Sequence, residues 1–107
     1  GFVTSAAVPD SIPAEYAQYI PDPMSPDTAN HIAAVVLMGK PSDQFMRDVG
    51  APPIVIGPRY VDKTIELCIP GDTICDGAPP GPPTLAHGLY VVNGMADEGA
   101  AFAIDRL

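Results

Sequence analysis

Cys68 and Cys75, the only two cysteines of the chain, stand seven positions apart with Gly71 and Asp72 between them, and His87 follows Cys75 by twelve positions. An aspartate bonded to an imidazole fixes the ring's tautomer and stabilises its protonated form, which is two thirds of a hydrolytic triad. A neutral imidazole is the natural general base near physiological pH. Were the cysteines to pair, Asp72 would ride on a ring of about eight residues, closed with a chain-entropy gain of roughly 2.5 kcal/mol. The larger consequence of so small a ring is geometric, because it removes freedom from the loop that presents the carboxylate. Other readings of the pair fit the spacing less well. Zinc sites use closer spacings and a second ligand pair, and redox pairs are spaced C-x-x-C.

The third triad member, a nucleophile, has no clear place. The serines are Ser5, Ser11, Ser25 and Ser42, and none lies in G-x-S-x-G. Ser25, in Ser25-Pro26-Asp27, reads as a helix N-cap with proline at the first helical position. Ser42 follows Gly39-Lys40-Pro41 at the end of an apolar run, the best local position for a nucleophile, but it lacks the glycines of a strained elbow. His31, at the end of a helical turn, is favoured there by the helix dipole and reads as structural. The catalytic candidates are therefore Asp72 and His87, with no metal set and no cofactor motif.

The elements that must position these residues alternate between strand and helix. Residues 1–8 look like the last turns of a helix, ended by Pro9 and Pro13. Ser25 begins one or two turns that run to about His31. Ile32–Met38 is a continuous apolar run closed by Gly39, as expected of a strand covered on both faces in a parallel sheet. A long connection from Gly39 to Tyr60 carries a turn of helix near Gln44–Asp48. The second strand, Lys63–Cys68, leads into the cysteine loop, so Asp72 lies just past a strand end, where ligands and catalytic groups collect in parallel sheets. Ala78–Pro83 is a Pro/Gly loop, and Thr84–Tyr90 carries His87. Ala96–Leu107 reads as an amphipathic helix with Ala100, Ala103, Ile104 and Leu107 on its apolar side. This alternation is that of an α/β layer.

The 107 residues can bury one modest core. A hydrophobic fraction of 47% is ordinary, but 13 acidic against 5 basic residues give a net charge of −8. With no cluster of Lys and Arg, the composition argues against a nucleic-acid partner. Fourteen prolines and ten glycines gather in the connections, three prolines in Pro21–Pro26, three in Pro52–Pro58 and four in Pro79–Pro83. No apolar run reaches the roughly 18 residues of a bilayer span. The opening Gly-Phe-Val-Thr-Ser-Ala-Ala has no basic flank of a signal peptide and no initiator Met, so the start reads as processed or truncated. Two cysteines this close suggest an exported, oxidising location.

C-x3-D-x2-C, with a histidine 15 residues after the aspartate, resembles the C-terminal half of cutinases and cutinase-like serine esterases. The likeness covers nearly the whole chain. IAAVVLMG looks like the family's strand after the nucleophile, and GPRYVDKTIELCIPGDTICDG like its aspartate-bearing strand and disulfide loop. AHGLYV and the proline-rich loop before it look most similar to mycobacterial cutinase-like proteins. The resemblance implies an α/β-hydrolase fold with a three-layer parallel sheet, with Asp72 as triad acid, His87 as triad base and Cys68–Cys75 as the family disulfide. It implies an exported or cell-envelope esterase, lipase, phospholipase or thioesterase acting on lipid or acyl esters, with no cofactor, in peripheral association with membrane or envelope. The family's serine lies in a G-Y/F-S-Q-G elbow shortly before a stretch like GFVTSAAV. Residues 1–107 are thus expected to be the C-terminal portion of one domain whose N-terminal portion, bearing the serine, precedes Gly1. The alternative is a non-catalytic exported binding module, in which the disulfide and proline loops are scaffolding. The separation of the Asp72 and His87 side chains discriminates between the two.

Overall fold

A computed structural model describes Glu15, residues 24–77 and residues 81–107. The helix expected over residues 1–8, together with Ser5, Ser11 and residues 78–80, lies outside the described residues. Strand β1, Val35–Met38, pairs in parallel with strand β2, Thr64–Leu67, in the register Val35↔Thr64 through Met38↔Leu67. Parallel neighbours need a crossover connection, and helix α1, Asp43–Asp48, lies in it. Ser42 caps α1 by accepting from the Phe45 N–H at 3.2 Å, with Asp43 in the first turn favoured by the helix dipole.

Both strands are shorter than their apolar runs. The turn expected after Ser25 forms as a 3-10 helix, Thr28–His31, whose first N–H is taken by the Ser25 hydroxyl at 3.3 Å and carbonyl at 3.0 Å. A second 3-10 turn, Val61–Lys63, precedes β2, and the Lys63 ammonium donates to the carbonyls of Ala29 at 2.6 Å and Ile32 at 2.9 Å. Helical backbone at residues 61–63 offers no extended partner to residues 32–34, so pairing begins only at Val35. Nor is β1 covered on both faces by described residues: Val35, Val36 and Leu37 are half-buried and Met38 is exposed. A shallow cleft of about 340 Å³ runs beside β1, lined by residues 36–41 and Ile54.

Helix α2, Met95–Ile104, packs on both strands. Asn93 accepts from the Met95 N–H at 3.1 Å, and Asp97 and Glu98 in the first turn suit the positive end of the dipole. The face expected to point inward is corrected here, since Ala100, Ile104 and Leu107 are exposed. The buried position is Gly99, where an added Cβ would stand 2.7 Å from Val36 Cγ1. Smallness, not hydrophobicity, sets how closely this helix approaches the sheet. The buried apolar side chains are Ala29, Met46, Ile54, Tyr60, Leu67 and Tyr90. Among the described residues, no helix is long and apolar enough to cross a membrane.

At their C-terminal ends the strands remain tied together. The Gly39 N–H donates to the Leu67 carbonyl and the Ser42 N–H to the Ile74 carbonyl, each at 2.9 Å. The loop leaving β1 and the loop leaving β2 are thereby held side by side.

Candidate active site

The loop after β2 is closed by a disulfide between Cys68 and Cys75, whose Cα atoms are 5.8 Å apart. Within it, Gly71 turns the chain at φ +87°, a conformation that glycine takes without a Cβ clash. The Ile69 carbonyl accepts from the Asp72 N–H at 2.9 Å, and the Asp72 carbonyl from the N–H groups of Cys75 at 3.2 Å and Asp76 at 3.0 Å. The Gly71 N–H donates to the Asp76 carboxylate. Two consecutive turns inside a covalent ring leave the Asp72 side chain one direction to take.

That direction is inward. Asp72 is 0% exposed, the one charged residue buried among those described. Its Oδ1 accepts from the Ile74 N–H at 3.0 Å, and its Oδ2 accepts from the Tyr90 hydroxyl at 2.6 Å and lies 2.8 Å from His87 Nδ1. Burial on its own pushes a carboxyl group's pKa up. Here the hydrogen bonds from Tyr90, His87 and Ile74 outweigh burial and hold Asp72 below its ordinary value. A carboxyl whose folded pKa lies below its unfolded one stabilises the fold above the unfolded pKa, and that contribution is lost as pH falls through the folded value.

His87 sits in a 3-10 turn, Leu85–Gly88. Two threonines fasten this segment to the disulfide loop: Thr84 donates its hydroxyl to the Gly71 carbonyl at 2.9 Å, and Thr73 donates to the Pro82 carbonyl at 3.2 Å. An ionised carboxylate only accepts, so Nδ1 carries the proton and Nε2, on the opposite edge of the ring, keeps its basic lone pair. The His87 side chain is 39% exposed while its partner is sealed. A tautomerically fixed base with one open nitrogen is suited to shuttling a proton to and from an external group.

Two further residues complete the corner, and the sequence reading assigned neither to the site. Gly39, read only as the end of a strand, has φ +66° and stands against the imidazole. A Cβ there would lie 2.8 Å from His87 Cε1, 3.1 Å from Nδ1 and 3.1 Å from the Tyr90 hydroxyl oxygen. Tyr90 packs edge-on to His87, with ring centroids 6.2 Å apart and planes at 87°. Burial, then the carboxylate of Asp72, pushes the Tyr90 phenol pKa up, so the hydroxyl stays a donor. The available signal was the spacing His-x-x-Tyr, which on a helical turn brings both side chains to one face.

Asp72, His87, Cys68 and Cys75 are thus brought together as expected. Ser42 is not among them, since its hydroxyl is committed to the N-terminus of α1, and Ser25 serves the earlier turn. His31 lies at the end of its 3-10 turn, exposed and 3.7 Å from Asp27, away from His87 and Asp72. Among the described residues, no group of three or more His, Cys, Asp and Glu side chains is arranged to hold a metal ion.

Comparison with known proteins gives this geometry a context. Residues 2–107 match the model of the cutinase family. The chain is 56% identical over 108 residues to "Probable carboxylesterase Culp7" of Mycobacterium tuberculosis, a match covering 100% of this chain and 54% of that protein. It is 50% identical over 107 residues to "Probable carboxylesterase Culp5" of the same organism, covering 100% of this chain and 58% of that protein. "Carboxylesterase Culp1" of Mycobacterium bovis is 45% identical over 86 residues, 78% of this chain and 38% of the relative. The chain spans about half the length of the first two of these curated relatives. No solved structure matches it. With a parallel sheet on which a helix packs and a family match that runs from residue 2 to residue 107, this chain belongs to the cutinase family of α/β-hydrolases.

Proposed function

We propose that this chain supplies the acid and the base of a carboxylic ester hydrolase, Asp72 and His87, and that the nucleophilic serine comes from a part of the same domain outside this sequence. The observation that carries the reading is the 2.8 Å contact between His87 Nδ1 and the fully buried Asp72 carboxylate. A binding scaffold has no use for a carboxylate that is buried, charged and aimed at a half-open imidazole. The relatives named as carboxylesterases support the same reading. Both described serines act as caps.

In this mechanism the serine oxygen adds to the ester carbonyl carbon as its proton passes to His87 Nε2. Asp72 stabilises the imidazolium without taking the proton. Collapse of the tetrahedral adduct breaks the bond to the leaving alcohol or thiol, which takes the proton from Nε2 and leaves an acyl-serine. Water then adds to the acyl carbon, gives a proton to Nε2, and collapse returns it to serine as the carboxylic acid departs. The substrate class we assign is a lipid or acyl ester, phospholipids and thioesters included. Leu85, Val91 and Val92, which flank His87 in the chain, are 90%, 76% and 73% exposed and offer an apolar approach for an acyl chain. The disulfide supports an exported protein of the cell envelope or its surroundings.

The test is labelling of the full-length protein with a serine-directed fluorophosphonate, alongside hydrolysis of a chromogenic ester. Labelling of one serine is expected, and His87→Ala should lower kcat by roughly 10⁶-fold, the scale of losing a triad base. An unlabelled protein, or a serine labelled at an undiminished rate in His87→Ala, would sink the proposal.

A further inference from the structure

We propose that Tyr90 is a positioning residue for the acid–base pair, its hydroxyl clamping the Asp72 carboxylate in the orientation that holds His87. The inference rests on the hydrolase reading for its activity arm, and on geometry alone for the rest. Tyr90 is 6% exposed and places its oxygen 2.6 Å from Asp72 Oδ2, the same oxygen that His87 Nδ1 approaches at 2.8 Å. The backbone N–H of Ile69 donates to the Tyr90 oxygen at 3.3 Å, and the remaining neighbour, Cys75 Sγ at 3.2 Å, belongs to the disulfide, has no proton to give and is a far weaker acceptor than a carboxylate oxygen at 2.6 Å. The phenol proton is therefore committed to Oδ2. Both ends of this contact are fixed by the same covalent ring, because Ile69, Asp72 and Cys75 all lie on it.

The clamp denies the Asp72 carboxylate rotation about its terminal bond, so Oδ2 stays in line with the imidazole. It also shares Oδ2 between two donors, so the His87 Nδ1–H meets an oxygen that is already held in place. The loop after β1 presents the backbone of Gly39, and Lys40 beyond it is paired with Glu66 at 3.2 Å. On the disulfide loop, the Asp76 carboxylate is turned to the Gly71 N–H.

Tyr90→Phe, made in the full-length protein, removes the hydroxyl and keeps the buried ring. The expected result is a kcat lower by about tenfold with KM within about twofold, the signature of an interaction that acts after substrate binding. The NMR resonance of the His87 Nδ1–H proton should shift, because the carboxylate oxygen that receives it loses its second donor. Placing 3-fluorotyrosine at position 90, which makes the phenol a stronger donor with little change of shape, should move that resonance in the opposite direction. Loss of stability in Tyr90→Phe with kcat and the resonance unmoved would reduce Tyr90 to a packing residue and overturn the proposal. Were Tyr90→Phe not to fold, an unmoved resonance in the fluorotyrosine protein would overturn it equally. His87→Ala separates this failure from that of the hydrolase reading: an active His87→Ala removes the hydrolase, whereas an inactive one beside a wild-type-like Tyr90→Phe removes only the role of Tyr90.

Discussion

The two ends of this small sheet are held by different physics. At the C-terminal strand ends, Asp72 is fixed by three hydrogen bonds of 2.6, 2.8 and 3.0 Å, inside a covalent ring. Where α2 crosses β1, the contact is apolar, with Gly99 laid against Val36 and no hydrogen bond between the two elements needed to hold it. Hydrogen bonds weaken steeply with angle and distance, so the first region fails by misdirection. Dispersion and burial are nearly directionless, so the second fails by volume.

The contrast can be broken most forcefully at Gly39. In Gly39→Ala the new methyl meets the imidazole at 2.8 Å, and the left-handed backbone adds strain of roughly 1–2 kcal/mol. His87 must move, and misplacement of a catalytic group by about an ångström costs on the order of 10²-fold in rate. Steady-state kinetics should show that loss in kcat while the melting temperature of the full-length protein falls by roughly 2–8 °C, at about 2–4 °C per kcal/mol for a domain of 150–250 residues. A kcat near that of the parent would show that the corner is not limited by geometry.

Replacing Cys68 and Cys75 by serine sharpens the same point from the side of stability. Opening a ring of about eight residues should lower unfolding free energy by roughly 2–3 kcal/mol, read as a fall in the urea midpoint. Activity should fall with it, because Asp72 loses the loop that aims it. A variant with lower stability and full kcat would mean that the turns at Gly71 and Asp72 hold the carboxylate without covalent help.

The smallest effect belongs to α2. Gly99→Ala gains about 1 kcal/mol of helix propensity and loses about 1–3 kcal/mol by crowding Val36. A net loss near 1 kcal/mol is expected in thermal or urea unfolding, recovered in the double variant with Val36→Ala, and kcat should not change. A kcat loss in Gly99→Ala would show that the sheet passes volume errors on to the site, and the contrast would collapse.

These differences explain what was legible in the sequence. Asp72 and His87 were legible because few residue types can serve their chemistry and because a short cysteine ring limits where an aspartate can point. The two strands were legible from their apolar runs, but their starts were not. The starts depend on Lys63 reaching back 34 positions to Ala29, a contact with no periodicity to announce it. Hydrophobicity alone points the inward face of α2 at Ala100, Ile104 and Leu107, while the sheet selects Gly99, the residue that lets the helix come closest. Tyr90 and Gly39 stayed hidden for a related reason. One is an aromatic residue that would pass for core, the other a glycine that would pass for a strand end, and only the fold sets both against His87.

The pairing of Met38 with Leu67 carries one more consequence. It makes the four-residue ladder a ruler that decides which backbone stands behind the imidazole. A slip of one position would put Met38 or Lys40 where Gly39 stands and reverse the face of every strand side chain. Changes of length between Asp48 and Val61 leave that ruler untouched and can be absorbed in the connection. Inserting or deleting one residue within either strand cannot. The length of the connection between Asp48 and Val61 is therefore easier to change than the count of residues in the strands themselves.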